Sequence, residues 1–356
     1  MTAASKSATM PAVYYDAFQG PIRIQDVPVP ELSPGSVVIQ VKATGLCRSD
    51  WHGWMGHDSD IQLPHVPGHE LSGVVDQVAD DVMHWTPGDR VIVPFACGCG
   101  QCPPCIRRQL HICDHYFQPG FTAWGSFAPL VRIDFADHNL VRLPDAFDFI
   151  TGASLGCRFA TAYRAVMLQG QLRPGQWLAV FGCGGVGLSA VMIGVAQGAR
   201  AIAIDTNAQA LRLASQLGAE LVINANKTRD VERFIMNCTG GGADVSIDAL
   251  GHAETCCQSI LSLRKQGRHV QVGLLLGDQS RPRIPMERVI GWELQLLGSH
   301  GLAAPDYAPL LQLIEAGTIM PQQLVTQTIA LEQAPNQLAQ MGRFPFAGVT
   351  VIDRFA

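Results

Sequence analysis

Four cysteines in one short stretch constrain this chain more than any other feature. Cys99, Cys102, Cys105 and Cys113 stand in the spacing C-x2-C-x2-C-x7-C. Three thiolates separated by two residues turn a loop around one ion, and the fourth closes a tetrahedron of sulfur donors. That set suits zinc, with Zn–S bonds of about 2.3 Å. All four positions are filled by protein, so no place remains for a substrate and the ion reads as structural. Such loops also occur in nucleic-acid ribbons. The formal charge of −5 argues against nucleic acid, because no basic patch is available to neutralise phosphates.

The chain has 356 residues, enough for two domains with proper cores, and its 47% apolar and 15% charged residues describe an ordinary globular protein. Up to about residue 155 it is rich in Val, Pro and Gly. Short runs at 36–41, 73–78 and 88–93 predict strands in a β-rich, barrel-like unit. From about 157 to 300, apolar strands (178–181, 201–205, 221–223, 245–248, 269–272, 294–298) alternate with helical stretches such as 208–217, stopped by Gly218. That alternation calls for a doubly wound parallel sheet with helices on both faces. A helix-like segment at 307–316 and a strand-like one at 348–352 follow. Residues 174–199 carry no charge over the length of a membrane span. Glycines at 182, 184, 185 and 187 break the segment, so it reads as a strand, a turn and a helix, with no membrane expected.

Gly182-x-Gly184-x-x-Gly187 follows a strand and opens a helix. Gly182 permits the tight turn, Gly184 the approach of a pyrophosphate, and Gly187 close packing of helix on strand. With Gly185 and Val186, the helix N-terminus offers N–H groups and partial positive charge to the phosphates. Asp205 ends the next apolar strand. There its carboxylate would accept hydrogen bonds from the adenosine ribose and repel a 2′-phosphate, which favours NAD over NADP.

Further motifs lie at Gly45-Leu46-Cys47-Arg48-Ser49-Asp50-Trp51-His52, Pro67-Gly68-His69-Glu70 and Leu155-Gly156-Cys157. Together with the cysteine loop and the glycine fingerprint, they stand in an order and spacing that resembles the zinc-dependent medium-chain alcohol dehydrogenases, over essentially the whole length. The resemblance implies an α/β architecture in two domains. Residues 1–157 and 301–356 would form a GroES-like barrel catalytic domain carrying both zinc sites, and residues 158–300 a Rossmann NAD domain.

By the same resemblance, Cys47, His69 and Cys157 would hold a catalytic zinc with its fourth position open. Alcohol dehydrogenase is itself the reference example of that Cys2His set, so the match is one of recognition. Asp50 would orient His69, and Glu70 would adjoin the metal and assist ligand exchange. Ser49 and His52 would relay the alcohol's proton by way of the nicotinamide ribose, His52 titrating near neutrality. Arg48 would supply a cation at the pyrophosphate. Phe95 and Trp54 would line the substrate pocket, with His57 in the same loop.

Two departures lower the expected cofactor affinity. Ala210 stands where many relatives carry a lysine, and the strand at 348–351 lacks an arginine found in some. Six cysteines are assigned to metal. The other five, with no apolar segment of signal-peptide length in residues 1–10, read as reduced thiols in a cytoplasmic protein. The expected activity is NAD-linked, two-zinc interconversion of small-molecule alcohols with aldehydes or ketones, in a homo-oligomer for which a tetramer is favoured over a dimer. The alternatives are a polyol or diol dehydrogenase, which Cys157 disfavours because polyol enzymes usually carry an acidic residue there, and a non-catalytic zinc- and dinucleotide-binding relative.

Overall fold

The structure is a computed structural model and describes residues 8–343 and 347–355. It forms two compact units. One comprises the chain up to Cys157, Leu302–Pro309 and the chain from Val325; the other comprises Arg158–Gly301 and Leu310–Leu324. Residues 310–324 group with the second unit and the segments on either side of them with the first. The turn Pro321–Leu324 buries Pro321 and Leu324 and packs on the second unit's helix Gly185–Ala196.

The first unit is built on a seven-stranded sheet centred on the strand Val37–Leu46. One edge of that strand pairs antiparallel with Glu70–Val78. The other edge is shared: Val37 to Gln40 pair with Leu130–Ile133, and Thr44 to Leu46 pair with Val349–Arg354. Register shifts at Val38/Ile39 and Val41/Ala43 let one long strand serve partners in different directions. Gly73 sits at the closest approach, where a Cβ would lie 2.2 Å from the Gln40 carbonyl oxygen. The alternating residues Val37, Ile39, Val41, Leu71, Val75, Val91 and Val93 form the core beneath. Each such side chain, fully buried, contributes on the order of 1.5–3 kcal/mol.

The second unit is a six-stranded parallel sheet in the order Leu221–Asn224, Arg200–Asp205, Trp177–Phe181, Ala243–Asp248, Leu263–Gln271, Gln295–Gly298. The order reverses between Trp177–Phe181 and Ala243–Asp248, and the crevice at such a reversal is where doubly wound sheets bind ligands. The charge-free segment resolves into the central strand Trp177–Phe181, wholly buried, and the helix Gly185–Ala196, buried from Gly187 to Gly194. Its hydropathy reflects burial within the unit, and among the described residues no helix is long and apolar enough to cross a membrane.

Two histidines are buried in structural roles. His65 places Nε2 2.8 Å from the Gly120 carbonyl oxygen. His269 takes the Ser259 hydroxyl at Nδ1 (3.0 Å) and donates from Nε2 to Gln271 Oε1 (3.2 Å). Burial pushes the pKa of each down to about 4, against about 6.5 in an unfolded chain. Between those values the unfolded chain binds protons that the folded one refuses, so stability falls as pH drops from about 6.5 to 4. We expect the thermal midpoint to fall on acidification through this window and the fall to be shallower in His269→Asn than in the parent. Equal slopes in melting curves of the two proteins would refute the assignment.

Candidate active site and metal centres

The strand Val37–Leu46 delivers Cys47 to the start of the short helix Arg48–Trp54, whose first turn carries Asp50. The Asp50 carboxylate is 1% exposed. Its Oδ2 accepts the Cys47 N–H at 2.9 Å, and its Oδ1 accepts the Gly68 N–H at 3.1 Å and the His69 Nδ1–H at 2.9 Å. Gly68 has φ +107°, and a Cβ there would lie 2.7 Å from the Phe127 nitrogen, so the turn that presents His69 requires glycine. Cys157 follows Gly156, whose missing Cβ would lie 3.0 Å from the Glu70 Cα. The ligand atoms of Cys47, His69, Glu70 and Cys157 all come within 4.8 Å of one another, and all four residues are buried.

Because Asp50 takes Nδ1–H, His69 turns Nε2 inward. That buried nitrogen makes no hydrogen bond, which is costly unless another partner satisfies it. Burial alone would lower the His69 pKa. The Asp50 charge and hydrogen bond, followed by the Cys47 sulfur, outweigh burial and raise it well above the ordinary value. An imidazole nitrogen lacking a partner, beside two thiols, is a donor set that fits zinc.

Around this cluster the rings of Phe95 and Phe121 meet His69 edge-on, at 6.1 and 5.3 Å between centroids. Phe95 packs with Cys47, Ala96, Cys157 and Tyr116. Tyr307 donates its hydroxyl to the Leu155 carbonyl at 3.0 Å, so the returning C-terminal segment braces the Cys157 turn. Trp54 ends the short helix Arg48–Trp54. Its indole N–H donates to the Gly20 carbonyl at 2.9 Å, and the residue lines a depression with Ile22, Glu332 and Pro335. Phe121, Tyr116 and Tyr307 escaped the sequence reading because no local motif marks them.

Ser49 Oγ accepts from Cys47 Sγ at 3.8 Å. His52 Nδ1 lies 2.9 Å from His57 Nδ1, and the Trp51 indole stands edge-on to both imidazoles. The expectation that His52 titrates near neutrality is corrected. Burial, then the Arg48 and His57 charges, push its pKa down to about 4. Arg48 itself donates to the Met341 carbonyl at 3.1 Å and stacks on Trp51 at 4.7 Å.

The four sulfurs of Cys99, Cys102, Cys105 and Cys113 form a second buried cluster within the same 4.8 Å limit. Backbone N–H groups of Cys99 and His115 donate to Cys113 Sγ, both at 3.2 Å. Asn139 pins the loop by bonding both backbone groups of Gly98, at 2.7 and 2.9 Å.

In the second unit, Gly187 packs so closely that a Cβ would lie 1.8 Å from the Gly182 carbonyl oxygen, and Gly182 has φ +92°. Gly184 faces open space. The Asp205 carboxylate accepts the Cys183 N–H at 2.6 Å and the Asn207 N–H at 2.7 Å. Asn207, not Asp205, caps the helix Ala208–Gln216, accepting from Gln209 and Ala210. Asp205 is thus held at the glycine turn and is not needed as a cap. Val186 lies in the first turn of the helix opened by Gly185.

Residues 185–316 match the zinc-binding dehydrogenase family, and residues 33–145 match the alcohol dehydrogenase GroES-like domain. An alcohol dehydrogenase of Geobacillus stearothermophilus is 35% identical over 315 residues, 87% of this chain and 90% of the relative. The NAD-dependent alcohol dehydrogenase of Sulfurisphaera tokodaii is 32% identical over 347 residues, 93% of this chain and 96% of the relative. The solved structure of alcohol dehydrogenase TADH from Thermus sp. ATN1 has a TM-score of 0.88 and 31% identity, across 97% of this chain and 100% of that one. With both domains matched and these relatives aligned over nearly all of its length, the chain belongs to the medium-chain zinc-binding alcohol dehydrogenase family.

Proposed function

We propose that this chain interconverts alcohols with aldehydes or ketones, using NAD as the hydride carrier and two zinc ions per chain. The observation that carries this is the Asp50 carboxylate, which gathers Cys47 and His69 and leaves His69 Nε2 turned toward the ligand cluster. Cys47, His69 and Cys157 would hold one zinc, with Glu70 beside it; Cys99, Cys102, Cys105 and Cys113 would hold the other. The first ion, when bound, supplies a Lewis acid that lowers the pKa of an alcohol hydroxyl.

The chain's own residues do the rest. Ser49 would accept the alcohol's proton at Oγ while giving up its own hydroxyl proton in the direction of His52. His52, neutral down to about pH 4, is the acceptor that moves it toward solvent, with the exposed His57 against its Nδ1. Phe95 and Phe121 make the surroundings apolar and exclude water, which suits alcohols with hydrocarbon substituents. Asp205 accepts ribose hydroxyls and repels a 2′-phosphate. The eleven free cysteines suit a cytoplasmic location, and the assembly we favour is a homotetramer.

Cofactor choice tests Asp205. NAD should exceed NADP clearly in kcat/KM, and Asp205→Gly should erode the difference. Equal use of both cofactors by the parent would sink the assignment.

Metal analysis should find two zinc ions per chain. Cys47→Ser or His69→Ala should lower turnover by roughly a thousandfold or more, a loss of several kcal/mol of transition-state stabilisation, while NADH still binds. Cys102→Ser should instead lower the melting temperature. An active Cys47→Ser protein beside a Cys102→Ser protein of unchanged stability would mean that the two roles are wrongly assigned.

For the proton path, His52→Gln should slow alcohol oxidation by roughly ten- to a thousandfold near neutral pH, within reach of the usual contribution of a positioned acid–base group. The loss should shrink as pH rises, because hydroxide then accepts the proton directly. Ser49→Ala should cost more. An unchanged rate and pH profile for His52→Gln from pH 6 to 9 would remove His52 from the path.

A further inference from the structure

The four-cysteine cluster is steadied by a residue well outside it. Asn139 ends the short helix Ala136–Asn139 and is 1% exposed. Its Oδ1 accepts the Gly98 N–H at 2.7 Å, and its Nδ2 donates to the Gly98 and Phe135 carbonyls, each at 2.9 Å. Two carbonyls and one N–H around it admit only one orientation of the carboxamide. Gly98 in turn lies against the cluster: a Cβ there would be 2.9 Å from Cys105 Sγ and 2.8 Å from the Leu110 Cβ.

The Gly98 carbonyl and the Cys99 N–H belong to one peptide group. A trans peptide is planar and points these two groups in opposite directions. Holding the carbonyl on Asn139 therefore aims the N–H the other way, where it meets Cys113 Sγ at 3.2 Å. Four thiolates around one divalent ion carry surplus negative charge, which N–H donors directed at sulfur offset. Neighbours of Asn139 add two further contacts to the lobe. Phe135, held at φ +54°, packs on the cysteine cluster, and the His138 ring fills the space that a Cβ on Gly100 would take.

We propose that Asn139 is a positioning residue for the ion assigned to Cys99, Cys102, Cys105 and Cys113: its carboxamide sets the Gly98–Cys99 peptide so that the N–H faces the Cys113 sulfur, and thereby slows release of the ion. This rests on the assignment of zinc to the four cysteines. The effect lies in the Nδ2 donor, which fixes the carbonyl, more than in the volume of the side chain.

The test follows zinc release from the holoenzyme to a chromogenic chelator, in the parent and in Asn139→Asp, Asn139→Ala and Asn139→Ser. Asn139→Asp decides most, because it keeps the shape and the acceptor for the Gly98 N–H but turns an oxygen, in place of the donor, toward two carbonyls. Asn139→Asp and Asn139→Ala should release one zinc equivalent per chain roughly ten- to a hundredfold faster than the parent, the usual effect of losing an outer-shell partner. The other equivalent, assigned to Cys47, His69 and Cys157, should leave at the parental rate. Asn139→Ser should fall between, and it serves if the other two fail to fold. In cobalt-substituted protein the sulfur-to-metal charge-transfer absorption should shift in Asn139→Asp, which a change of packing alone would not produce. Parental release by Asn139→Asp (or by Asn139→Ser, where only that variant folds), or equal acceleration of both equivalents, overturns the proposal while the four-cysteine zinc stands. Full zinc content in Cys102→Ser overturns both.

Discussion

One buried carboxylate organises the candidate active site. Asp50 is surrounded by donors from three points of the chain: the backbone at Cys47, the backbone at Gly68 and the imidazole of His69. A carboxylate removed from water is tolerated only when its oxygens are satisfied in this way. The same three bonds therefore fix the start of the helix Arg48–Trp54, the turn before the strand Glu70–Val78, and the face that His69 presents. Candidate metal ligands from distant parts of the sequence are thus held in place by one carboxylate.

Most of the fold was legible because its signals are local. The strands at 178–181 and 201–205, the glycine turn between strand and helix, and the helix beginning at Ala208 each follow from residue patterns read over a few positions. The two clusters that could hold a metal were legible for a different reason: thiols and imidazole in motif context admit few other uses. What escaped depends on packing between segments. Phe121 and Tyr307 reach the cluster through tertiary contacts that no periodicity records. His52 was expected to titrate near neutrality from its type alone, whereas its burial beside Arg48 and His57 sets the lower value. The bonds from Asn139 to Gly98 were likewise invisible, because the two residues stand 41 positions apart.

Asp205 illustrates how context separates two uses of one residue type. An acidic residue after a strand and before a helix serves equally well as a cap or as a ligand group. Here Asn207 takes the capping bonds, and Asp205 accepts backbone N–H groups at Cys183 and Asn207. Its carboxylate is thus oriented by the glycine turn itself, and turn and acidic residue act as one rigid element.

The pairing of Thr350 with Leu46 has a consequence for the order of assembly. The parallel sheet of the second unit has all its strands once Gly298 is made. The first unit lacks a partner for the end of its central strand until Val349–Arg354 has been made. Loop-closure entropy rises only slowly with the length of chain between partners, so the delay is one of time more than of free energy. Domains generally fold as units during synthesis; here the unit begun first is finished last. Cys47, one residue beyond Leu46, waits through that whole interval for its final surroundings. The Cys47 thiol therefore lacks its completed surroundings for as long as the chain between the two strands is still growing.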